Sequence, residues 1–179
     1  GDSLMAVFTQ GLPAAGKSTL VAQRYGGRPD WLVIDPDRIK ETLPTYDPKR
    51  TFLVHEQSKS IADTMYMDAL QRNTQNIVYD STAVNVDVAG RRIRQAREAG
   101  YATGLLYVTV PLEVSLARNR LRERVVPDEV LFAKAKEIDG AFRKLEPLVD
   151  SVEVVDNSGA QTRLIGFADR TVARMGARM

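Results

Sequence analysis

The residues with the clearest chemical meaning lie near the start of the chain, where positions 11–19 read Gly-Leu-Pro-Ala-Ala-Gly-Lys-Ser-Thr. This segment matches the pattern G-x-x-x-x-G-K-[ST] at every fixed position and follows an apolar run at 4–8. A chance match in a chain of this length is expected in less than ~1% of cases. In the pattern, glycines let backbone N–H groups point at phosphate oxygens, while the lysine reaches the outer phosphates and the hydroxyl binds Mg²⁺.

The segment therefore predicts a site for ATP and Mg²⁺ rather than an ordinary glycine-rich turn. A helix that begins at Lys17 adds the positive end of its dipole. Lys17 is expected to act in catalysis as well as in binding, and Ser18 to bind the metal. The residues of this segment that we expect to contact nucleotide are Gly11, Ala14, Ala15, Gly16, Lys17, Ser18 and Thr19.

Two carboxylates follow the next apolar run, in Asp35-Pro36-Asp37-Arg38. Asp35 before Pro36 fits the N-cap of a helix with proline at its first position, and a catalytic role for Asp35 is equally compatible with the sequence. Asp37 is the better candidate base, because transfer of a phosphoryl group to a hydroxyl benefits from a carboxylate that accepts the hydroxyl proton. The alternative for Asp37 is an acid of the first turn, favoured by the helix dipole.

Strand-length apolar runs alternate with helical segments along the chain. The runs lie at 4–9, 31–34, 76–79, 103–110 and 152–155, and helices are predicted at 17–25, 51–72, 86–99, 112–123, 128–145 and 160–174. Continuously apolar strands that alternate with helices indicate a parallel sheet covered on both faces. We therefore predict an α/β fold, the three-layer sandwich of P-loop NTPases, with five parallel strands. Ligands of such sheets lie beyond the carboxyl ends of the strands.

Length and composition narrow the class of protein. The 179 residues fit one domain, 1–179, and a net charge of +2 gives no global attraction to polyanions. No cysteine is present, so disulfides and thiolate metal sites are excluded. No apolar run approaches ~18 residues and no signal-peptide pattern opens the chain, so we expect a cytoplasmic protein without a membrane span. The start at Gly1 leaves open that the chain is part of a longer protein.

These motifs together resemble the zeta-toxin and polynucleotide 5′-kinase group of P-loop kinases, over residues 4–159. The likeness rests on the loop at 11–19, Ile-Asp-Pro-Asp at 34–37 with Lys40, Leu-Pro at 43–44, His-Glu-Gln-Ser at 55–58, Val-Tyr-Asp-Ser-Thr at 78–82, Arg-Asn-Arg-Leu-Arg at 118–122, Val-Pro at 126–127 and Val-Asp-Asn-Ser at 155–158. The loop motif is specific to nucleotide binding, whereas the others are short.

The resemblance implies roles for particular residues. Asp37 would be the base toward the acceptor hydroxyl, and Lys17 and Ser18 would bind the triphosphate and Mg²⁺. Arg118 and Arg122, in a lid at about 112–127, would close over the phosphates of ATP. The alternative for these arginines is a solvated helix face.

The resemblance leaves the acceptor open. The zeta-toxin branch phosphorylates a sugar hydroxyl of UDP-N-acetylglucosamine or a related nucleotide sugar, with Glu56 on the acceptor side, and an antitoxin partner is possible for such a protein. Polynucleotide kinases phosphorylate a nucleic-acid 5′-hydroxyl and typically read Arg-Asp-Asp where this chain has Asp35-Pro36-Asp37, which favours the zeta-toxin branch. The Arg-Asn-x-x-Arg pattern at 118–122 is closer to the polynucleotide kinases.

The remaining candidates each carry two interpretations. Asp80, which ends a strand, either orients Mg²⁺ through water or the acceptor, or caps the next segment. Thr82 is a further candidate on the acceptor side. Asn157 either lines the adenine site or forms an Asx turn. For four arginines on one helix we expect a solvated face rather than a nucleic-acid groove, for His55 a structural role, and for Trp31 a place in the core; the arginines are Arg91, Arg92, Arg94 and Arg97.

Two rival functions have different requirements. A nucleotide-dependent switch that acts through a partner has no use for a carboxylate at an acceptor hydroxyl, so Asp37 argues for a kinase. A nucleic-acid-binding protein is poorly supported by a near-neutral charge and by the lack of aromatic stacking platforms.

Overall fold

The computed structural model describes residues 4–122 and 125–170. The elements in chain order are β1 (Met5–Gln10), α1 (Lys17–Tyr25), β2 (Trp31–Ile34), α2 (Pro36–Thr42), a 3₁₀ turn (Thr51–Val54), α3 (His55–Arg72), β3 (Asn76–Tyr79), α4 (Val86–Glu98), β4 (Ala102–Thr109), α5 (Leu112–Arg120), α6 (Asp128–Leu145), a second 3₁₀ turn (Glu146–Leu148), β5 (Ser151–Asp156) and β6 (Arg163–Asp169). Within the described ranges, no helix is long and apolar enough to cross a membrane.

The strands form one sheet in the order β2-β3-β1-β4-β5-β6. The first five are parallel, with Val7 of β1 opposite Val78 of β3 and Gly104 of β4. This order confirms the predicted α/β class. It places the carboxyl ends of β1, β2 and β3 side by side, although 70 or so residues separate the ends of β1 and β3 along the chain.

The sixth strand corrects the prediction of a last helix. Residues 163–169 form β6, which pairs antiparallel with β5, and residues 171–174 of the predicted helix lie outside the described residues. The chain reverses over residues 157–162, and Asp156 accepts hydrogen bonds from Ser158 N (2.9 Å) and from the Arg163 guanidinium (2.7 Å). The reversal lets β6 complete the backbone hydrogen bonds along an otherwise unpaired edge of β5, a gain that no local helical pattern can reveal.

Alternate residues of the strands pack on opposite faces of the sheet. Phe8 and Tyr79 belong to a core cluster that α3 and α4 cover. Val7 and Val78 face the other way, toward α1. Trp31 is only half buried, at the margin of this second cluster. The loop before α1 and the helices α3 and α4 therefore approach the same sheet edge from opposite faces.

Candidate active site

A cavity of about 730 Å³ lies at the carboxyl ends of the central strands. It is lined by the loop between β1 and α1, the first turn of α2, the start of α3, the segment after β3, α4, the end of α5 and α6. Parallel α/β sheets bind ligands at this edge. The sequence-predicted site residues that line it are Ala14, Gly16, Lys17, Ser18, Thr19, Asp37, Asp80, Thr82, Arg118 and Arg122.

The phosphate loop, residues 11–19, depends on its two glycines. Gly16 has φ 87° in the left-handed region, directly before the first residue of α1, where glycine avoids the cost of a Cβ. Gly11 N donates to Thr82 O at 3.2 Å, and a Cβ on Gly11 would lie 2.7 Å from Val108 O. The loop therefore packs closely on the ends of β3 and β4, with α1 beginning at its far side.

Asn157 supports this loop from behind. Its Nδ2 donates to Ala15 O at 2.7 Å, and its Oδ1 accepts from Thr162 Oγ1 at 2.7 Å. A Cβ on Gly16 would clash with the same Nδ2. Asn157 does not line the cavity, and the Asx turn belongs to Asp156, whose carboxylate accepts from Ser158 N. A contact between Asn157 and adenine stays a prediction.

Lys17 is buried and lies under the loop. Its Nζ donates to Gly11 O and to Leu12 O, each at 2.8 Å. Burial lowers the pKa of Lys17 to about 8, and the charges of Asp80 and Asp37 only partly offset this effect. Negative charge placed beside Nζ would favour the protonated lysine, as expected for a ligand of phosphate.

Ser18 connects two carboxylates at the start of α1. Ser18 Oγ donates to Asp80 Oδ2 at 2.9 Å and lies 3.4 Å from Asp35 Oδ2. Asp80 is buried and also accepts from Thr9 Oγ1 at 2.9 Å. The carboxylate of Asp80 therefore faces Ser18 and Thr9. A role of Asp80 in orienting Mg²⁺ stays a prediction.

Asp35 is the N-cap of α2. Its Oδ1 accepts from Asp37 N at 3.0 Å and from Arg38 N at 3.3 Å, as the capping interpretation predicts. Burial, and to a lesser extent the negative charges of Asp80 and Asp37, raise the pKa of Asp35 to about 6. The cap thus carries a charge that its surroundings disfavour.

The hydroxyl oxygen of Ser18 and the carboxylate oxygens of Asp80 are suitable ligands for Mg²⁺. Hard cations prefer hydroxyl and carboxylate oxygens, and Mg²⁺ usually binds one or two protein carboxylates while phosphates and water complete its shell. Ser18 and Asp80 supply such a pair. Within residues 4–122 and 125–170, no group of three or more His, Cys, Asp or Glu residues could hold a metal ion.

Asp37 lies in the first turn of α2, two residues after the N-cap Asp35. Its Oδ1 is 3.5 Å from Lys40 Nζ, and about half of its side chain is exposed to the cavity and solvent. Lys134 of α6 also lines the cavity; burial lowers its pKa, and Asp37 opposes that shift. The sequence analysis missed Lys134, although its place three residues after Leu131 and four before Ile138 puts it on the buried stripe of α6.

Arg118 and Arg122 of the predicted lid both line the cavity and are half buried. Arg118 Nη2 donates to Ser158 O at 3.3 Å. Asn119 closes the segment by donating to Val126 O (2.6 Å) and accepting from Val126 N (3.0 Å). Arg118 and Arg122 therefore do not form a solvated face. The mobility of the lid stays a prediction, and its residues 123 and 124 lie outside the described residues.

At the start of α3, the positions of Glu56 and His55 differ from what we predicted. Glu56 is exposed and lines a shallow depression beside Lys59 and Asp63 rather than the main cavity. His55, for which we expected a structural role, does line the cavity, and partial burial together with the charge of Lys40 lowers its pKa.

Arg92 corrects the expected solvated face of α4. It is 8% exposed and lines the cavity, with its Cζ 4.2 Å from the centroid of the Tyr79 ring and its Nη2 3.2 Å from Asp63 Oδ1. The helical spacing from the buried Ala89 and Ala96 places position 92 on the buried face, a signal already present in the sequence. Arg91 and Arg94 are exposed, as expected.

Comparisons with known proteins identify the family of this chain. The family model for zeta toxin matches residues 4–166. A comparison with curated proteins gave no match.

Solved structures share the fold at low identity. A chain from the PezAT chromosomal toxin-antitoxin system of Streptococcus pneumoniae superposes with a TM-score of 0.73 at 14% identity, covering 97% of this chain and 76% of that one. A chain of AvrRxo1-ORF1:-ORF2 with ATP gives 0.69 at 17% identity, covering 99% and 64%. A chain of the Pnkp1/Rnl/Hen1 RNA repair complex gives 0.63 at 15%, covering 80% and 47%.

This chain thus spans less than two thirds of the second and third of these relatives. Such identities establish a common fold and no more. The family match covers most of the chain, and the phosphate loop that opens it is complete. The chain therefore belongs to the zeta toxin family, with the nucleotide-binding P-loop fold of a kinase-type phosphotransferase.

Proposed function

We propose that the protein transfers the γ-phosphoryl group of ATP to a hydroxyl group of a small molecule or nucleotide, with a nucleotide sugar as the first candidate. The observation that carries the proposal is that Lys17 of the phosphate loop and Asp37, the candidate base, line one cavity. The negative charge of Asp37 also opposes the lowering of the Lys17 pKa by burial.

Each residue of the site has a separate role in the phosphoryl transfer. The acceptor oxygen forms a bond to the γ-phosphorus, the bond from that phosphorus to the bridging oxygen breaks, and ADP leaves. Asp37 takes the proton of the acceptor hydroxyl, and Lys40 Nζ, 3.5 Å from Asp37 Oδ1, orients that carboxylate. Lys17 offsets charge on the outer phosphates, and Ser18 and Asp80 would hold Mg²⁺.

Arg118 and Arg122 complete the charge balance. A loose transition state spreads negative charge over the γ-phosphate oxygens, and fixed guanidinium groups stabilise that charge without reorganising. Both arginines reach the cavity from the segment after β4, as a lid over nucleotide would require.

Two further proposals follow from the comparisons. A nucleic-acid 5′-hydroxyl is the alternative acceptor, because one structural relative belongs to an RNA repair complex. A protein partner of the antitoxin type is proposed from the relative that belongs to a toxin-antitoxin system.

A screen of γ-labelled ATP against UDP-sugars, nucleosides and 5′-hydroxyl oligonucleotides tests the function. Each acceptor is run with wild type, Asp37→Asn and the control Asp30→Asn, which changes an exposed aspartate outside the cavity. We expect label in a UDP-sugar, lost with Asp37→Asn and kept with Asp30→Asn. Label in the oligonucleotide alone would replace the first candidate with the second, and slow release of phosphate without any labelled acceptor would favour a switch or ATPase.

A further inference from the structure

Residues 80–85 form the irregular segment between β3 and α4, and all six of them line the cavity. Within this segment Ala83 has φ 54°, in the left-handed region. Glycine adopts that region freely, whereas the Cβ of alanine meets a steric cost there. Ala83 is also buried. Contacts with the surrounding structure must therefore hold Ala83 in this conformation.

Gln10, the last residue of β1, makes such a contact. Its Nε2 donates to Ala83 O at 2.9 Å. The side chain of Gln10 is fully buried, and its Oε1 has no hydrogen-bond partner among the described residues. An unpaired buried carbonyl oxygen is unfavourable, so an apolar side chain of the same size should be nearly as stable at this position. Global stability therefore does not explain the amide, whereas the bond to Ala83 requires it.

The bond from Gln10 lies beside two other contacts between the same two segments. On one side, Thr9 Oγ1 accepts from Ser81 N at 2.8 Å. On the other side, Gly11 N, at the start of the phosphate loop, donates to Thr82 O at 3.2 Å. These two contacts fix the residues before the left-handed position. Gln10 extends the connection to the point where the chain turns toward α4.

We propose that Gln10 is a positioning residue for phosphoryl transfer, which keeps Ala83 left-handed and thereby fixes residues 80–85 relative to the phosphate loop. This inference rests on the proposed function in taking phosphoryl transfer as the reaction that needs the segment in place. Asp80 and Thr82 belong to the segment, so a different backbone conformation at Ala83 would shift the cavity wall to which they contribute. The alternative is that Gln10 only fills the core.

Three variants and one control separate these interpretations. Gln10→Met keeps the volume of the side chain and removes the donor to Ala83 O. Ala83→Gly makes the left-handed conformation accessible without support, and the third variant combines both changes. The matched control is Gln75→Met, which removes a similar bond, from Nε2 to Pro29 O, at the opposite end of the sheet.

Three quantities are measured for each protein. The first is kcat at saturating ATP with the acceptor that the screen identifies. The second is the calorimetric affinity for a non-hydrolysable ATP analogue with Mg²⁺. The third is the midpoint of urea unfolding, which reports on a merely structural loss.

A positioning role predicts a loss of kcat that a second substitution restores. Gln10→Met should lower kcat about 10-fold, because an unsupported alanine is left-handed in roughly one molecule in ten. Nucleotide affinity and the urea midpoint should stay close to wild type. Adding Ala83→Gly should restore kcat to within ~3-fold of wild type, since glycine adopts positive and negative φ about equally. Gln75→Met should match wild type throughout.

Hydrogen exchange supplies a readout that needs no acceptor. Backbone amides of residues 80–88 should exchange faster in Gln10→Met than in wild type or Gln75→Met. Should Gln10→Met fail to fold, Gln10→Asn takes its place, because it keeps an amide but is one methylene too short to reach Ala83 O.

Several results would overturn the role of Gln10. These are a wild-type kcat in Gln10→Met, a loss of kcat that Ala83→Gly does not restore, and unchanged exchange at 80–88. A failure of the proposed function has a different signature. Faster exchange in Gln10→Met, with no labelled acceptor in the screen for any protein, would reject phosphoryl transfer while confirming that Gln10 holds the segment.

Discussion

Replacing Asn157 should disturb the shape of the phosphate loop rather than the recognition of a base. Asn157→Ala removes the donor to Ala15 O, which belongs to a fully buried residue, and also the acceptor for Thr162. A buried carbonyl that loses its donor costs about 1–3 kcal/mol, and the second bond adds less. A loss of ~2 kcal/mol in the loop alone would weaken nucleotide binding roughly 30-fold.

Two matched variants isolate the bond to the loop. Asn157→Asp keeps the acceptor for Thr162 but turns an oxygen toward Ala15 O, so it should weaken binding more than Asn157→Ala does. Thr162→Val removes only the outer bond and should cost about 0.5–1 kcal/mol. Urea unfolding separates the loss of global stability from the loss of binding.

Calorimetry with non-hydrolysable ATP and GTP analogues decides between a loop support and a base contact. Because Ala15 O lies in the phosphate loop, affinity for both nucleotides should fall by the same factor. A selective loss of ATP affinity would show that Asn157 reads adenine. Wild-type binding by Asn157→Asp would refute the reasoning altogether.

Three further variants test the remaining groups of the site. Lys17→Ala should abolish transfer while the fold survives, because the buried charge under the loop is lost; most of the activity remaining would place the site elsewhere. Asp37→Asn should leave nucleotide binding nearly intact and slow single-turnover transfer on the order of 10²- to 10⁴-fold, and a wild-type rate would reject Asp37 as base. Asp35→Asn keeps the cap and removes a charge that burial and Asp80 disfavour, so it should stabilise the protein at pH 7. The folded pKa of about 6 lies above the usual aspartate pKa of 3.8, so wild type loses stability as pH rises from about 4 to 6. The stability gain of the variant, about 1 kcal/mol after solvent screening, should appear over that range in urea titrations, and a gain independent of pH would contradict this cause.

Local patterns were enough for most of the fold and for part of the site. The phosphate loop could be predicted because its glycines and the helix start at Lys17 constrain the backbone within a few residues. The helix predicted at 128–145 was confirmed with the same bounds. Helical periodicity places Arg92 on the buried face of α4, but its charge was taken as evidence of exposure, which fails where a cavity receives the charged end.

The error at 160–174 has a different origin. The side chains of β6 gain little stability from burial, because Leu164, Ile165 and Phe167 are largely exposed. Their hydrogen bonds come from β5, which is itself paired with β4 on its other side. A strand that depends on a neighbour's open edge leaves only a weak trace in its own sequence.

The phosphate loop, the strand runs and the carboxylates after β2 and β3 could be predicted from the sequence, because each is set by residues close together in the chain. Which of these groups meet depends on the tertiary fold. Ser18 contacts Asp80 across 62 positions, and Asn157 contacts Ala15 across 142. The strand order β2-β3-β1-β4-β5-β6 brings those segments to one edge, and side-chain contacts at that edge follow from how helices pack on the two faces of the sheet, which no short stretch of sequence records.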